Sequence, residues 1–232
     1  MALPTSGRQL AQLNDQKSYS RSRDGLQHYL WDSRPFGSTP TDYTFFNQPI
    51  GASWTINSTV GSKQKNETNM VDTGKVPTGQ NFLVTRIGVG LISSYDPQTT
   101  GATSGYANAA MIYQAFVNIL QTSVFELTLA GKAFDFQVHG RQFLPAIALS
   151  GYNATGLGNV SRNGDHVVSG WLSIKENSPI NLNSQVSFSF QQYCSQVGNS
   201  LQTTIQTHSF AYLNAYNCTM MVTLEGFLTR SK

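Results

Sequence analysis

The feature that most constrains this chain is a period-two alternation of apolar and polar residues, sustained through its last two-thirds. In NSQVSFSFQQY, Val186, Phe188 and Phe190 face one way, and Ser187 and Ser189 the other. In FELTL, Phe125, Leu127 and Leu129 oppose Val124, Glu126 and Thr128. In GKAFDFQVHG, Phe134, Phe136 and Val138 oppose Asp135, Gln137 and His139. Successive side chains of a strand point to opposite faces, so these segments read as antiparallel strands with one face on a core. FLVTRIGVGLIS puts Leu83, Ile87, Val89 and Leu91 on one face, and its Gly88 and Gly90 mark a bulge or a close backbone approach. MMVTLEGFLTR groups Met220, Val222, Leu224 and Leu228. A bulge at Gly226 would turn Phe227 inward; otherwise Phe227 faces out as a candidate subunit contact.

HVVSGWLSIKE and TIQTHSFAYLNAY read as further strands. MIYQAFVNILQTSVFELTL reads as two strands with a turn near residues 121–123, or as a helix over residues 107–120 followed by one strand. The total is roughly eight strands after Val76, separated by clusters of turn-forming residues. Strong amphipathic helices between strands are missing, which disfavours a parallel α/β fold. The expected fold is all-β, an eight-stranded antiparallel jelly-roll β-sandwich.

Residues 1–75 lack that rhythm. GRQLAQLND allows one short helix, while SYSRSRDG, DSRPFGSTPTDYTFFNQPIG and STVGSKQKNETN are dense in turn formers. The expected division is a long, mostly irregular N-terminal arm over residues 1–75 and a jelly-roll core over 76–232. So long a loop-rich stretch is improbable inside one compact domain. Yet it contains Trp31, Phe36, Phe45, Phe46 and Trp54, too many aromatics for a disordered tail. Those five are candidate anchors by which the arm docks on its own sandwich or on a neighbour. Arg8, Lys17, Arg21, Arg23 and Arg34 are its candidate contacts with nucleic acid. Asp15, Asp24 and Asp32 offset three of these five charges, so a solvated or protein-docked arm is the other reading.

Composition bears on function. Charged residues make up 12% of the chain, about half the usual share, and the formal net charge is +3. Ser, Thr, Asn and Gln supply roughly a third of the residues. A charge this small does not mark whole-chain nucleic-acid binding. Uncharged polar groups suit repeated protein contacts, because burying an amide or hydroxyl costs far less than burying an ion. His28, His139, His166 and His208 have no metal-ligand spacing between them, so no metal or cofactor is expected. A nucleophile elbow, a P-loop and a dinucleotide fingerprint are all missing. Asp96, Glu126, Asp135, Asp165, Glu176 and Glu225 stand apart from one another, and no glycosidase pair is singled out. The chain is expected not to be an enzyme. Cys194 and Cys218 either pair or are two buried thiols, the second being the simpler reading. The start of the chain carries no apolar signal core, and no run approaches the ~20 apolar residues of a membrane helix. A soluble chain made in the cytoplasm is expected, and the sequons at Asn57, Asn66, Asn153, Asn159 and Asn217 read as Asn-rich loops.

TNMVDTGKVPTGQNFLVTRIGVGL resembles the first core strand of jelly-roll capsid proteins from icosahedral bacteriophages, lipid-containing ones included. There a G-x-lP-x-G-x-x-F-x-V-x-x-I-x-V stretch leads from an arm into the sheet. FELTLAGKAFDFQVHGRQFLPA is similar to their middle strands, INLNSQVSFSFQ to the penultimate ones, and MMVTLEGFLTRSK to the closing one. The resemblance spans residues 68–232. It implies a virion structural protein, made in the host cytoplasm, that self-assembles into an icosahedral shell and has neither active site nor cofactor. It implies as partners further copies of the chain in pentamers, hexamers or a larger lattice, and other virion proteins. The arm would reach the packaged genome or an internal membrane. Relatives often carry two rolls in one chain; the strand count here supports one. The competing reading is a carbohydrate-binding jelly-roll module, receptor-binding or lectin-like, with SGYNATGLGNVSRNGDH as its loop and Tyr152 and Asp165 as candidate contacts.

Overall fold

The computed structural model describes residues 26–56, 59–93, 102–129, 136–143, 170–174, 180–194 and 200–230. In chain order these form β1 (Leu26–Pro35), β2 (Tyr43–Phe45), β3 (Ser53–Ile56), β4 (Thr59–Ser62), β5 (Gln80–Ile92), α1 (Ala102–Gln121), β6 (Val124–Leu129) and β7 (Phe136–His139). A 3-10 turn (Gly140–Phe143), β8 (Gly170–Ser173), β9 (Ile180–Asn183), β10 (Phe188–Tyr193), α2 (Ser200–Ala215) and β11 (Thr219–Arg230) follow. The fold is predominantly β, and its described pairings are antiparallel.

One sheet runs β1-β11-β5, with β8 and β9 sharing the remaining edge of β5; the second runs β2-β10-β6-β7, and β3 and β4 form a separate hairpin. The pairing is nested. Among the described residues the first strand pairs with the last (β1 with β11), and β2 pairs with β10. Inside those, β5 pairs with β8 and β9, and β6 with β7. The chain is thus an antiparallel ribbon folded upon itself, closed by β11 on β5 and β10 on β6.

The two sheets share one core. Phe82, Val84, Ile87, Val89, Met220, Val222 and Leu224 of the first meet Phe45, Phe125, Leu127, Phe188 and Phe190 of the second. Phe125 stacks on Phe190 with ring centroids 5.6 Å apart. Each fully buried ring contributes roughly 1.5–3 kcal/mol relative to exposure. Helices α1 and α2 interrupt the ribbon at the same end and pack on each other. Phe210 of α2 lies edge-on to Phe36 at 5.5 Å and stacks on Tyr43 at 6.1 Å. Helix α2 stops at Asn217, which takes φ 51° and lets the Cys218 amide donate to the Leu213 carbonyl. A left-handed residue just past the last turn is a common helix terminator, and Asn tolerates it.

The structure corrects several expectations. Residues 26–75 are not an irregular arm: β1 and β2 are members of the two sheets, and Leu30, Phe36, Phe45, Phe46 and Met70 are core residues. The boundary expected at residue 75 therefore falls inside the sandwich; residues 1–25 lie outside the described residues. After Val76 seven strands are described rather than eight, because TIQTHSFAYLNAY is helix α2 and MIYQAFVNIL belongs to helix α1. A core built only from residues 76–232 would lack β1 and β2, one strand from each of the two sheets. In β5, Leu83 does not share a face with Ile87 and Val89: Phe82 and Val84 are the buried pair before the irregularity, Ile87 and Val89 after it. The register slips between Glu225 and Gly226, whose partners are Arg86 and Val84, so Thr85 is an extra residue in β5. Strand β11 keeps its alternation, and Phe227 stays on the other face, half-buried, instead of turning inward. Gly226 sits opposite this bulge, where a Cβ would lie 1.9 Å from the Leu83 carbonyl oxygen. The alternation expected for Phe125 and Leu127, and for Phe188 and Phe190, is as read from the sequence.

Candidate functional site

The densest group of polar contacts lies along β1. On the face that carries buried Leu30, the next two alternate positions are charged: Asp32 is buried and Arg34 half-buried. Asp32 is fully buried. Its Oδ1 accepts from Lys63 Nζ at 2.9 Å, and its Oδ2 from the Phe46 amide at 2.7 Å. Lys63, also buried, donates in addition to the Ser33 carbonyl. The bond to Asp32 holds Phe46 at φ 63°, a left-handed conformation uncommon for a bulky residue. Burial pulls the Lys63 ammonium below its ordinary pKa, opposed by the Asp32 carboxylate. Such a pair contributes little net stability when intact, but removing one member strands a buried charge.

Around this pair the chain between β2 and β5 is clipped to the free edge of β1. The Trp31 amide donates to Asn69 Oδ1 at 2.9 Å, Asn69 Nδ2 to the Tyr29 carbonyl at 2.7 Å, and Ser33 Oγ to the Glu67 carbonyl at 2.9 Å. Farther along, Gly74 at φ 57° receives and passes on the backbone: its amide donates to Phe46 O, and the Phe188 amide donates to its carbonyl, both at 2.7 Å. A Cβ there would lie 2.5 Å from the Phe188 carbonyl oxygen, so only glycine fits.

These contacts decide what the expected site residues do. Arg34, a candidate nucleic-acid contact, gives Nε and Nη2 to the Thr44 carbonyl at 3.1 and 3.0 Å, and reaches the side chains of Asn47 and Gln48. Desolvation by burial lowers its pKa, partly offset by Asp32. Its guanidinium is half-buried and engaged by these groups of its own fold. Arg8, Lys17, Arg21 and Arg23 lie outside the described residues. Of the candidate anchors, Phe36, Phe45 and Phe46 are buried in the chain's own core. Trp31 is a half-buried residue of β1. Trp54 is a half-buried residue of β3 whose ring fills the space over Gly61 in β4. Tyr152 and Asp165 lie outside the described residues.

Chemistry-bearing side chains are dispersed. Among the described residues no three His, Cys, Asp or Glu converge on a metal position. His139 and His208 are exposed at separate elements, and His28 lies edge-on to Phe82 at 6.3 Å. Cys194 and Cys218 are free, buried thiols rather than a disulfide. Burial pushes the Cys194 thiol up to about 12, against a 3.4 Å contact with Ser123 Oγ, so it stays protonated and unreactive at neutral pH. Gln192 Nε2 donates to the same hydroxyl at 2.9 Å, which makes a buried polar knot under α1 instead of an activated nucleophile. No helix among the described residues is long and apolar enough to cross a membrane.

Set beside known proteins, the chain matches no family model, no curated protein and no solved structure.

Proposed function

We propose that this chain is a jelly-roll capsid subunit, a virion structural protein that assembles with copies of itself into an icosahedral shell. The observation that carries the reading is the nested strand pairing. Taking β8 and β9 as one interrupted strand and the β3–β4 hairpin as an insertion, we read the described pairings as eight strands joined first with last, then inward. Such nesting supports a jelly roll, an architecture of viral capsid and lectin domains. Fold alone does not give function. One further observation favours the shell over the lectin. The low charge content suits extensive protein contacts, since interface cores are depleted in charge.

The mechanism is mechanical rather than chemical: the sandwich presents lateral surfaces to neighbouring copies. Negative-stain electron microscopy of the purified chain tests this. Rings, sheets or closed particles with a regular repeat are expected. Specific retention on a glycan array by a chain that forms none of these would replace the shell with the sugar-binding module.

A further inference from the structure

Two stretches of the sequence, Pro97–Phe125 and Asn177–Leu224, contain no Asp, Glu, Lys or Arg. They are far apart in the chain, yet the fold brings them together, because α1 and α2 pack on each other at one end of the sandwich. Neither helix carries an acidic residue in its first turn or a basic one in its last. Their inner side is explained: Ile112, Phe116, Ile119 and Leu120 of α1 and Phe210 and Leu213 of α2 are buried in the core. Their outer side is not. A helix with one face on a core ordinarily turns charged residues to water on the other. Here the exposed positions include Met111 and Gln114 of α1 and Thr203, Thr207, His208 and Ala211 of α2. Threonine is a modest helix former, and without charges these helices gain nothing from ion pairs four residues apart. Met111 is 52% exposed, and methionine is among the residues enriched at protein interfaces.

We propose that the outer face of the α1–α2 pair is where a second copy of this chain packs, like face to like face. Charge decides the occupant. In a two-fold contact the same patch meets itself, so any net charge on it faces its own image and repels. A face with no formal charge escapes that penalty. Nucleic acid and anionic headgroups need cations, which this face does not offer. Thr207 Oγ1 already donates to the Thr203 carbonyl and Gln114 Nε2 to Asn118 Oδ1, and both side chains keep further polar capacity that a second uncharged polar face can meet and acyl chains cannot. Arg141, in the 3-10 turn packed against α1, lies at the margin.

The inference rests on the reading of the chain as a self-associating subunit, and the test separates the two. Full-length Ala211→Glu, Ala211→Lys and Thr207→Glu are compared with wild type by size exclusion with light scattering, with Gln185→Glu, exposed in the turn between β9 and β10, as a control for net charge. Wild type and the control are expected to associate alike, and each helix variant to associate at least about tenfold more weakly with unchanged circular dichroism. An equimolar mixture of the Ala211→Glu and Ala211→Lys variants is expected to regain association, because opposite charges then meet across the contact. Helix variants that associate like wild type, a control that weakens equally, or a mixture that gains nothing would each overturn the proposal while leaving self-association standing. A wild type that remains monomeric at every concentration would overturn both.

Discussion

Strand β1 with the loop clipped to its edge, and the helix pair α1–α2 at the end of the sandwich, treat charge in opposite ways. Along β1 the charges are turned inward: Asp32, Lys63 and Arg34 are spent on holding the segment between β2 and β5 against the sheet. The helix pair has no Asp, Glu, Lys or Arg to turn in either direction. A buried ion pair fixes geometry, because its partners tolerate no alternative, whereas an uncharged surface leaves the choice of partner open. Under the proposed self-association, the first region holds the fold of the single chain together and the second is the face offered to a further copy.

The largest expected effect comes from breaking the inward charges singly. Asp32→Ala or Lys63→Ala strands one buried charge and is expected to cost about 3–5 kcal/mol in urea denaturation. Replacing both together with Asp32→Leu and Lys63→Met is expected to recover much of that loss. If the single variants unfold like wild type, the pair does not specify β1 in the way its geometry indicates. Phe36→Ala follows, at about 3–5 kcal/mol, because the ring is core to its own chain. Unchanged monomer stability with lost association would instead make Phe36 an anchor into a neighbour.

A pH titration is the next lever. Burial pushes the Tyr43 phenol and the Cys194 thiol up to about 12, so the folded state keeps protons that the unfolded chain releases earlier. Stability is full below the ordinary pKa values of these groups and falls as pH rises toward 12, by about 2–3 kcal/mol from Tyr43 at the limit. Lys63, lowered by burial, works in the opposite sense as pH rises. Denaturation midpoints should decline through this alkaline range, and Tyr43→Phe should flatten the decline. The smallest effect is Ala211→Glu on stability, within about 0.5 kcal/mol, because the side chain is exposed. Equal loss of stability at Ala211 and at Asp32 would erase the contrast between the regions.

What was legible in the sequence follows the same division. Strands with apolar residues at every inward position, such as Phe125 and Leu127 or Phe188 and Phe190, announce themselves. Strand β1 does not, because Asp32 and Arg34 occupy inward positions and break the alternation, which is why a ten-residue strand reads as part of an arm. Helix α2 hides for a related reason: its buried Gln206 and Ser209 interrupt the apolar stripe completed by Phe210 and Leu213. Gln206 is satisfied by the Thr122 carbonyl at 3.3 Å, a partner that no local pattern reveals. The extra Thr85 in β5 shifts the inward set midway, so one face read through the whole strand was bound to fail. The uncharged face could have been found from the sequence, since its signal is two charge-free runs; that they meet is legible only in the fold.

Self-association of the intact chain is tested most directly by sedimentation velocity of the purified protein over a wide range of concentration. Species moving far faster than a single chain, growing at the expense of a monomer boundary as concentration rises, are expected of a shell subunit. One slow boundary at every concentration, unmoved by salt or pH, would contradict it.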